Sequence, residues 1–288
     1  MRDLTNSHAL LSLNTATVRV QWPLDRIIEE CARREIRLIA PWRDQIAAIG
    51  LERTAALLRT HEIGLSGLCR GGFFTGATAL ARQAALDDNR RAIDEARTLN
   101  APCLVLVVGA LPGALDGRAH YHDIARARSE VRDGIAAALD YARQIGLPLA
   151  IEPLHPMQAA DRACINTLEQ ALDLCDELDP HLTGMLGVAV DVYHTWWDPK
   201  LLPQIARAGK ARLLAFHVCD WRLPTRDLLN DRAMMGDGII EIRKIRASIE
   251  AAGYDGPIEV EIFSAQDWWL RPGEEVLDTC IARLKTAV

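Results

Sequence analysis

Four side chains able to ligate a divalent cation close four successive apolar runs in the second half of the 288-residue sequence: PLAIE ends at Glu152, LGVAVD at Asp191, LLAFH at His217 and PIEVE at Glu261. Carboxylates crowded at one partly buried site repel one another and raise each other's pKa, so a divalent cation is the natural compensation. One imidazole and three carboxylates, with room left for water or substrate oxygens, suit Mn²⁺ or Mg²⁺ better than a closed structural zinc site; Zn²⁺ and Co²⁺ use the same donors. A lone acidic residue after an apolar run is ordinarily a helix cap or half of a surface ion pair. Four in succession make Glu152, Asp191, His217 and Glu261 the expected metal ligands.

A second set follows three residues further on. His155, His194 and Asp220 lie in the segments just beyond the runs, where they would orient the ligands or hold substrate hydroxyls. Arg222 is placed to clamp a substrate oxygen or carboxylate, and Arg226 competes for that role. The seven tryptophans outnumber the four Phe and the four Tyr, and six of them fall at the same ends: Trp42, Trp196, Trp197, Trp221, Trp268 and Trp269. Trp42, Trp196, Trp221 and Trp268 are expected to stack on the C–H faces of a sugar or cyclic polyol and to exclude water. The rival reading is a homo-oligomer interface on the same rim. Gly236 and Gly238 read as a turn with Asp237 capping the next helix, rather than as a phosphate loop.

The elements that must position these residues recur. Mostly apolar runs end at 14, 42, 70, 109, 152, 191, 217 and 261, about every 35 residues, close to the ~31 that eight βα units require in ~250 residues. Helix-period segments separate them: 24–34, 51–61, 79–98, 124–144, 167–178, 199–208, 239–252 and 274–286. In the fourth, Val131, Ile135, Ala138, Leu139 and Ala142 share one face. Gly64, Asn100, Gly146, Gly184, Gly209 and Gly253 suit left-handed stops before the strands. The runs are nearly continuous in apolar residues, as a parallel sheet covered on both faces demands. No Gly-rich loop follows the first run, which argues against an open dinucleotide-binding sheet. The pattern predicts a single (β/α)8 TIM barrel spanning residues 1–288, with its active site at the C-terminal strand ends.

Composition narrows the partners. Thirty-three basic and thirty-nine acidic residues leave a net charge of −6 with no basic patch, which argues against nucleic acid as a partner. Seven cysteines with no CxxC fit reduced thiols rather than disulfides or a zinc ribbon. No apolar run approaches the ~20 residues of a membrane span and no signal-peptide pattern is present, so the expectation is a cytoplasmic protein without a membrane partner.

The succession IEP, DVYH, FHVCDW and GDGIIEIRKI…AAGYDGPIEVEIFS, across roughly residues 148–264, resembles the xylose-isomerase-like barrels, a superfamily of sugar isomerases and epimerases. The resemblance implies that Glu152, Asp191, His217 and Glu261 bind one divalent metal and that Glu152 and Glu261 are the catalytic proton carriers. It further implies an isomerase or epimerase of a sugar or cyclic polyol, working by proton abstraction beside a carbonyl to give an enediolate. The alternative is a metal-dependent lyase or dehydratase on an inosose-like or keto-glycoside substrate, with His194 or His155 as acid. An abasic-site endonuclease and a non-catalytic sugar-binding barrel are further readings. Two positions that hold substrate in the epimerases, six residues beyond a ligand, are here Gln158 and Leu223, a departure from the standard epimerase pattern.

Overall fold

The computed structural model describes residues 1–288. Its strands are β1 (Leu11–Asn14), β2 (Leu38–Ala40), β3 (Gly64–Leu65), β4 (Leu68–Gly72), β5 (Leu104–Val107), β6 (Leu149–Ile151), β7 (Leu186–Asp191), β8 (Leu213–Val218), β9 (Asp220–Trp221), β10 (Arg232–Ala233) and β11 (Ile258–Val260). Nine of them form one parallel sheet in the order β3-β2-β1-β11-β8-β7-β6-β5-β4. The two ends meet because β3 and β4 are halves of one barrel strand, broken at Ser66–Gly67. The first half pairs with β2 and the second with β5, and the Cys69 N–H donates to the Pro41 carbonyl at 3.1 Å. The result is an eight-position TIM barrel.

Helices α1 (Leu24–Arg33), α2 (Arg43–Ile49), α3 (Leu51–Thr60), α4 (Ala79–Thr98), α5 (Ile124–Ile145), α6 (Leu168–Leu178), α7 (Val192–Thr195), α8 (Leu201–Arg212), α9 (Ile242–Ala251) and α10 (Gly273–Ala287) alternate with the strands. The predicted segments fall on them within a few residues, with α2 and the single-turn α7 as additions. Thr78, Asp123 and Thr167 start α4, α5 and α6 by accepting backbone N–H groups of the first turn. Asp237 does not cap α9, whose N-terminal neighbour is Glu241; it pairs instead with Arg283. Asn100, Gly146, Gly184, Gly209 and Gly253 have positive φ as expected, whereas Gly64 does not; the left-handed residue before β3 is Glu62, at φ 53°.

Two apolar clusters divide the interior. One of 72 residues lies between strands and helices; the other holds Cys69, Cys103, Val105, Ala150, Ala189 and Ala215, from β4 to β8 and the residue before β5. The second is the barrel lumen. Because alternate strand residues share a face, Glu152, Asp191 and His217 lie two residues beyond the lumen alanines 150, 189 and 215 and face the same interior. Small residues below leave room for ionisable groups above.

Candidate metal centre

Glu152, Asp191, His217 and Glu261 are all buried, and one ligating atom from each lies within 4.8 Å of the others. His217 Nδ1 is 2.9 Å from Glu152 Oε1 and 3.9 Å from Glu261 Oε2. Parallel registry brings Asp191 beside His217 on β7 and β8. Asp191 also starts α7, accepting the Tyr193 N–H at 2.8 Å, which fixes its carboxylate at the strand end.

A residue that the sequence reading missed completes this cluster. Arg232, on β10, is buried, and its Nη1 donates to Asp191 Oδ2 at 2.7 Å and to Glu261 Oε2 at 3.2 Å. It lies outside the eightfold strand rhythm, in the antiparallel pair β9–β10 beyond His217, so nothing in its spacing marked it. A second missed group sits one layer deeper. Glu259 faces the lumen two residues before Glu261, receiving Asn14 Nδ2 at 2.8 Å and Ser66 Oγ at 2.8 Å. The Glu-x-Glu spacing on a strand was the available signal. Asn14 bridges the layers, donating also to Glu261 Oε1 at 3.0 Å, and its Oδ1 accepts Trp42 Nε1 at 2.8 Å.

The electrostatics follow from burial and crowding. Burial, reinforced by the Glu152 and Asp191 charges and opposed by Arg232, pushes Glu261 up to about 8. Burial works against charge on His217, yet the Glu259, Glu152 and Glu261 carboxylates hold it well above the ordinary imidazole value. Burial also opposes charge on Asp191, but Arg232, His194 and His217 outweigh it and lower its pKa.

These residues fit a divalent cation. Three carboxylates and the Nδ1 side of one imidazole point to a common centre. His217 Nε2, buried without a hydrogen-bond partner, faces Glu259 Oε1 at 3.6 Å, the relation by which a carboxylate behind a ligating imidazole fixes its orientation. Four acidic groups around one imidazole and one guanidinium leave a surplus of negative charge for a cation to balance.

The remaining candidates separate. His194 lines the cavity above the ligands. Its Nδ1 accepts the His155 N–H at 3.1 Å and its Nε2 meets the Arg232 Nη2 donor at 3.1 Å, so both ring nitrogens face donors. Burial keeps it neutral, lowering its pKa to about 3. His155 turns away: its Nδ1 accepts the Met157 N–H and its ring packs 5.1 Å from Trp221. Asp220 is a buried brace, accepting N–H groups of Trp221, Gly236 and Ile240 at 2.8–2.9 Å. Arg222 pairs with Asp267 and Arg226 with Asp231, so neither lines the cavity. Of the tryptophans, Trp42 lines it. Trp221 stacks on Tyr193 at 4.7 Å and packs 5.6 Å from Trp196, and Trp268 is buried beneath Arg271. These three support the wall rather than face the cavity. No helix is long and apolar enough to cross a membrane.

A parallel α/β barrel carrying a carboxylate–imidazole cluster at its C-terminal strand ends defines the class. Residues 28–287 match the family model of the xylose isomerase-like TIM barrel, and the chain belongs to that family. It is 55% identical to a protein from Sinorhizobium meliloti 1021 of known crystal structure, with a TM-score of 0.91 over 96% of this chain and 98% of that one. An inosose isomerase from Halalkalibacterium halodurans is 21% identical over 274 residues, 92% of each chain. The crystal structure of an IolI protein with a bound zinc atom superposes with a TM-score of 0.80 at 18% identity, covering 96% and 98% of the two chains.

Proposed function

We propose that this protein is a divalent-metal-dependent isomerase or epimerase of a small sugar or cyclic polyol ketone. The observation that carries the reading is the pair Glu152 and Glu261, whose carboxylates lie 2.9 and 3.9 Å from His217 Nδ1 in one buried cavity. The similarity to an inosose isomerase supports it. The cavity is about 220 Å³, below the ~300–1,000 Å³ of sites for drug-sized ligands, which suits a single ring or a short chain.

Glu152, Asp191, His217 and Glu261 would hold the cation, Mn²⁺, Mg²⁺, Zn²⁺ or Co²⁺ by donor type. When bound, the cation supplies Lewis-acid polarisation of a carbonyl and its neighbouring hydroxyl. One glutamate takes the proton from the carbon between them to give an enediolate, and the other returns a proton to the adjacent carbon or the opposite face. Trp42, Leu154 and Phe263 line the cavity and exclude water. Isomerisation is favoured over dehydration because the latter needs an acid for the departing hydroxyl. His194 is neutral and a weak base, and His155 lies outside the cavity.

The test is ¹H NMR in D₂O with Mg²⁺-loaded protein and a panel of ketoses and inososes. Deuterium incorporation beside the carbonyl without loss of water is expected, with a fall of at least ~10²-fold in Glu152→Gln and Glu261→Gln. A folded Gln variant with full exchange, or loss of water as the first event, overturns the reading.

A further inference from the structure

The cavity that Glu152 and Glu261 line also holds positive charge. Arg70, in the middle of β4, and Arg162, in the segment after β6, line the same hollow as Glu152 and Glu261. A larger hollow of about 520 Å³ opens outward from it, sharing Arg19, Trp42, Cys69 and Arg70. The other arginines of these hollows have partners: Arg19 pairs with Asp44, Arg43 with Asp88 at 2.9 Å and Glu95 at 2.6 Å, and Arg232 with Asp191 at 2.7 Å. Arg70 and Arg162 have neither a carboxylate partner nor a hydrogen-bond acceptor.

Arg70 is fixed without being neutralised. Its guanidinium lies 4.2 Å from the Phe73 ring centroid and 6.0 Å from that of Trp42. Aromatic faces against a guanidinium set its plane and leave the in-plane N–H groups free to form a fork. Burial and the facing Arg162 charge both press its pKa below the usual guanidinium value. Two like charges, partly out of water and with unused donors, form the arrangement that a carboxylate or phosphate relieves by accepting from both. Glu152 and Glu261, which line the same hollow, repel that group. A substrate with one anionic end therefore enters with that end toward β4 and its carbonyl end toward the glutamates.

We propose that Arg70 and Arg162 form an anion subsite, and that the ketone processed at the metal centre bears a carboxylate or phosphate. This rests on the isomerase reading for the identity of the ketone, but the subsite is testable by binding alone. The probes are D-fructose, D-fructuronate and D-fructose 6-phosphate, which share a C2 ketone and differ at C6. Each is titrated calorimetrically into Mg²⁺-loaded protein. At least one anionic probe is expected to bind ten times more tightly than D-fructose, and the tighter of the two identifies the group.

In Arg70→Met/Arg162→Met that preference is expected to vanish, with D-fructose affinity within twofold of the parent and an unchanged melting temperature. If the double variant fails to fold, Arg162→Met, on a partly exposed segment, is expected to lose most of the preference. Equal affinity for all three probes, no binding of any, or a preference that survives in a folded variant overturns the subsite. Anion preference without deuterium exchange on any probe or any ketose or inosose of the panel leaves the subsite standing and overturns the isomerase reading. Exchange on D-fructose without anion preference does the reverse.

Discussion

Arg232 Nη1 lies 2.7 Å from Asp191 Oδ2, and both side chains are buried. Removing one partner of a buried ion pair leaves the other charge uncompensated and typically costs about 3–5 kcal/mol. Arg232→Met is therefore expected to lower the metal-free melting temperature sharply. Because a cation would neutralise the same carboxylates, added Mg²⁺ or Mn²⁺ should recover most of the loss. Differential scanning calorimetry of both proteins, with and without metal, checks this; an equal metal-induced rise in the two would contradict it.

Glu261 is pushed up to about 8 by burial and by the Glu152 and Asp191 charges, so at pH 7 it is mostly protonated without metal. His217, held well above its ordinary value by surrounding carboxylates, carries a proton as well. A cation must displace protons from both. The sign follows: affinity rises with pH from 6 to about 8, and binding at pH 7 releases at least one proton. Titration calorimetry at pH 7 in phosphate and in Tris should give binding enthalpies that differ by at least the difference in buffer ionisation heats. Identical enthalpies and a flat affinity across this range would refute the linkage.

Glu259 binds nothing in the cavity directly, yet it faces His217 Nε2 at 3.6 Å and is held by Asn14 and Ser66. Groups that orient a ligating imidazole commonly affect metal affinity 10–100-fold. Glu259→Gln keeps the shape and removes the charge, so a metal Kd weaker by about tenfold or more is expected, with the fold retained. An unchanged Kd would reduce Glu259 to a packing role.

The barrel and its four convergent ionisable side chains were legible because both are periodic. A βα rhythm of about 35 residues sets the strand ends, and ionisable side chains closing Val- and Ala-rich runs are out of place unless they share a site. What was not legible depends on contacts made by irregular segments. Arg222 and Arg226 were as well placed in sequence as Arg232, but Asp267 and Asp231 neutralise them. Trp196, Trp221 and Trp268 lie beyond the correct strands, yet a large ring reaches the cavity only if the backbone aims it there; they pack behind it instead. Arg70 closes the third strand run, and its role appears only once Arg162 is seen to share its cavity.

The strands that present Asp191 and His217 are tied at their other ends by a buried pair far from the site. Arg212, at the end of α8, donates to Asp179 Oδ2 at 2.8 Å, to the Leu186 carbonyl at 2.8 Å and to the Cys175 carbonyl at 3.1 Å. It thereby joins α6 to the start of β7 and to β8. Burial opposes the Asp179 charge, but Thr183, Arg212 and Arg143 outweigh it and hold the carboxyl below its ordinary value of 3.8. A depressed carboxyl pKa contributes stability that is present above the unfolded value and is lost as pH falls through the folded one. Asp179→Asn is thus expected to cost about 3 kcal/mol at pH 7, where the buried Arg212 keeps only the more exposed Asp176, at 3.5 Å, as counter-charge. The gap between parent and variant should narrow as pH drops below 3.8 and the parent's own carboxylate is protonated. Urea unfolding followed by circular dichroism at pH 7 and pH 3 measures both values. A gap that stays constant between them would mean that Asp179 acts through its hydrogen-bonding shape rather than its charge.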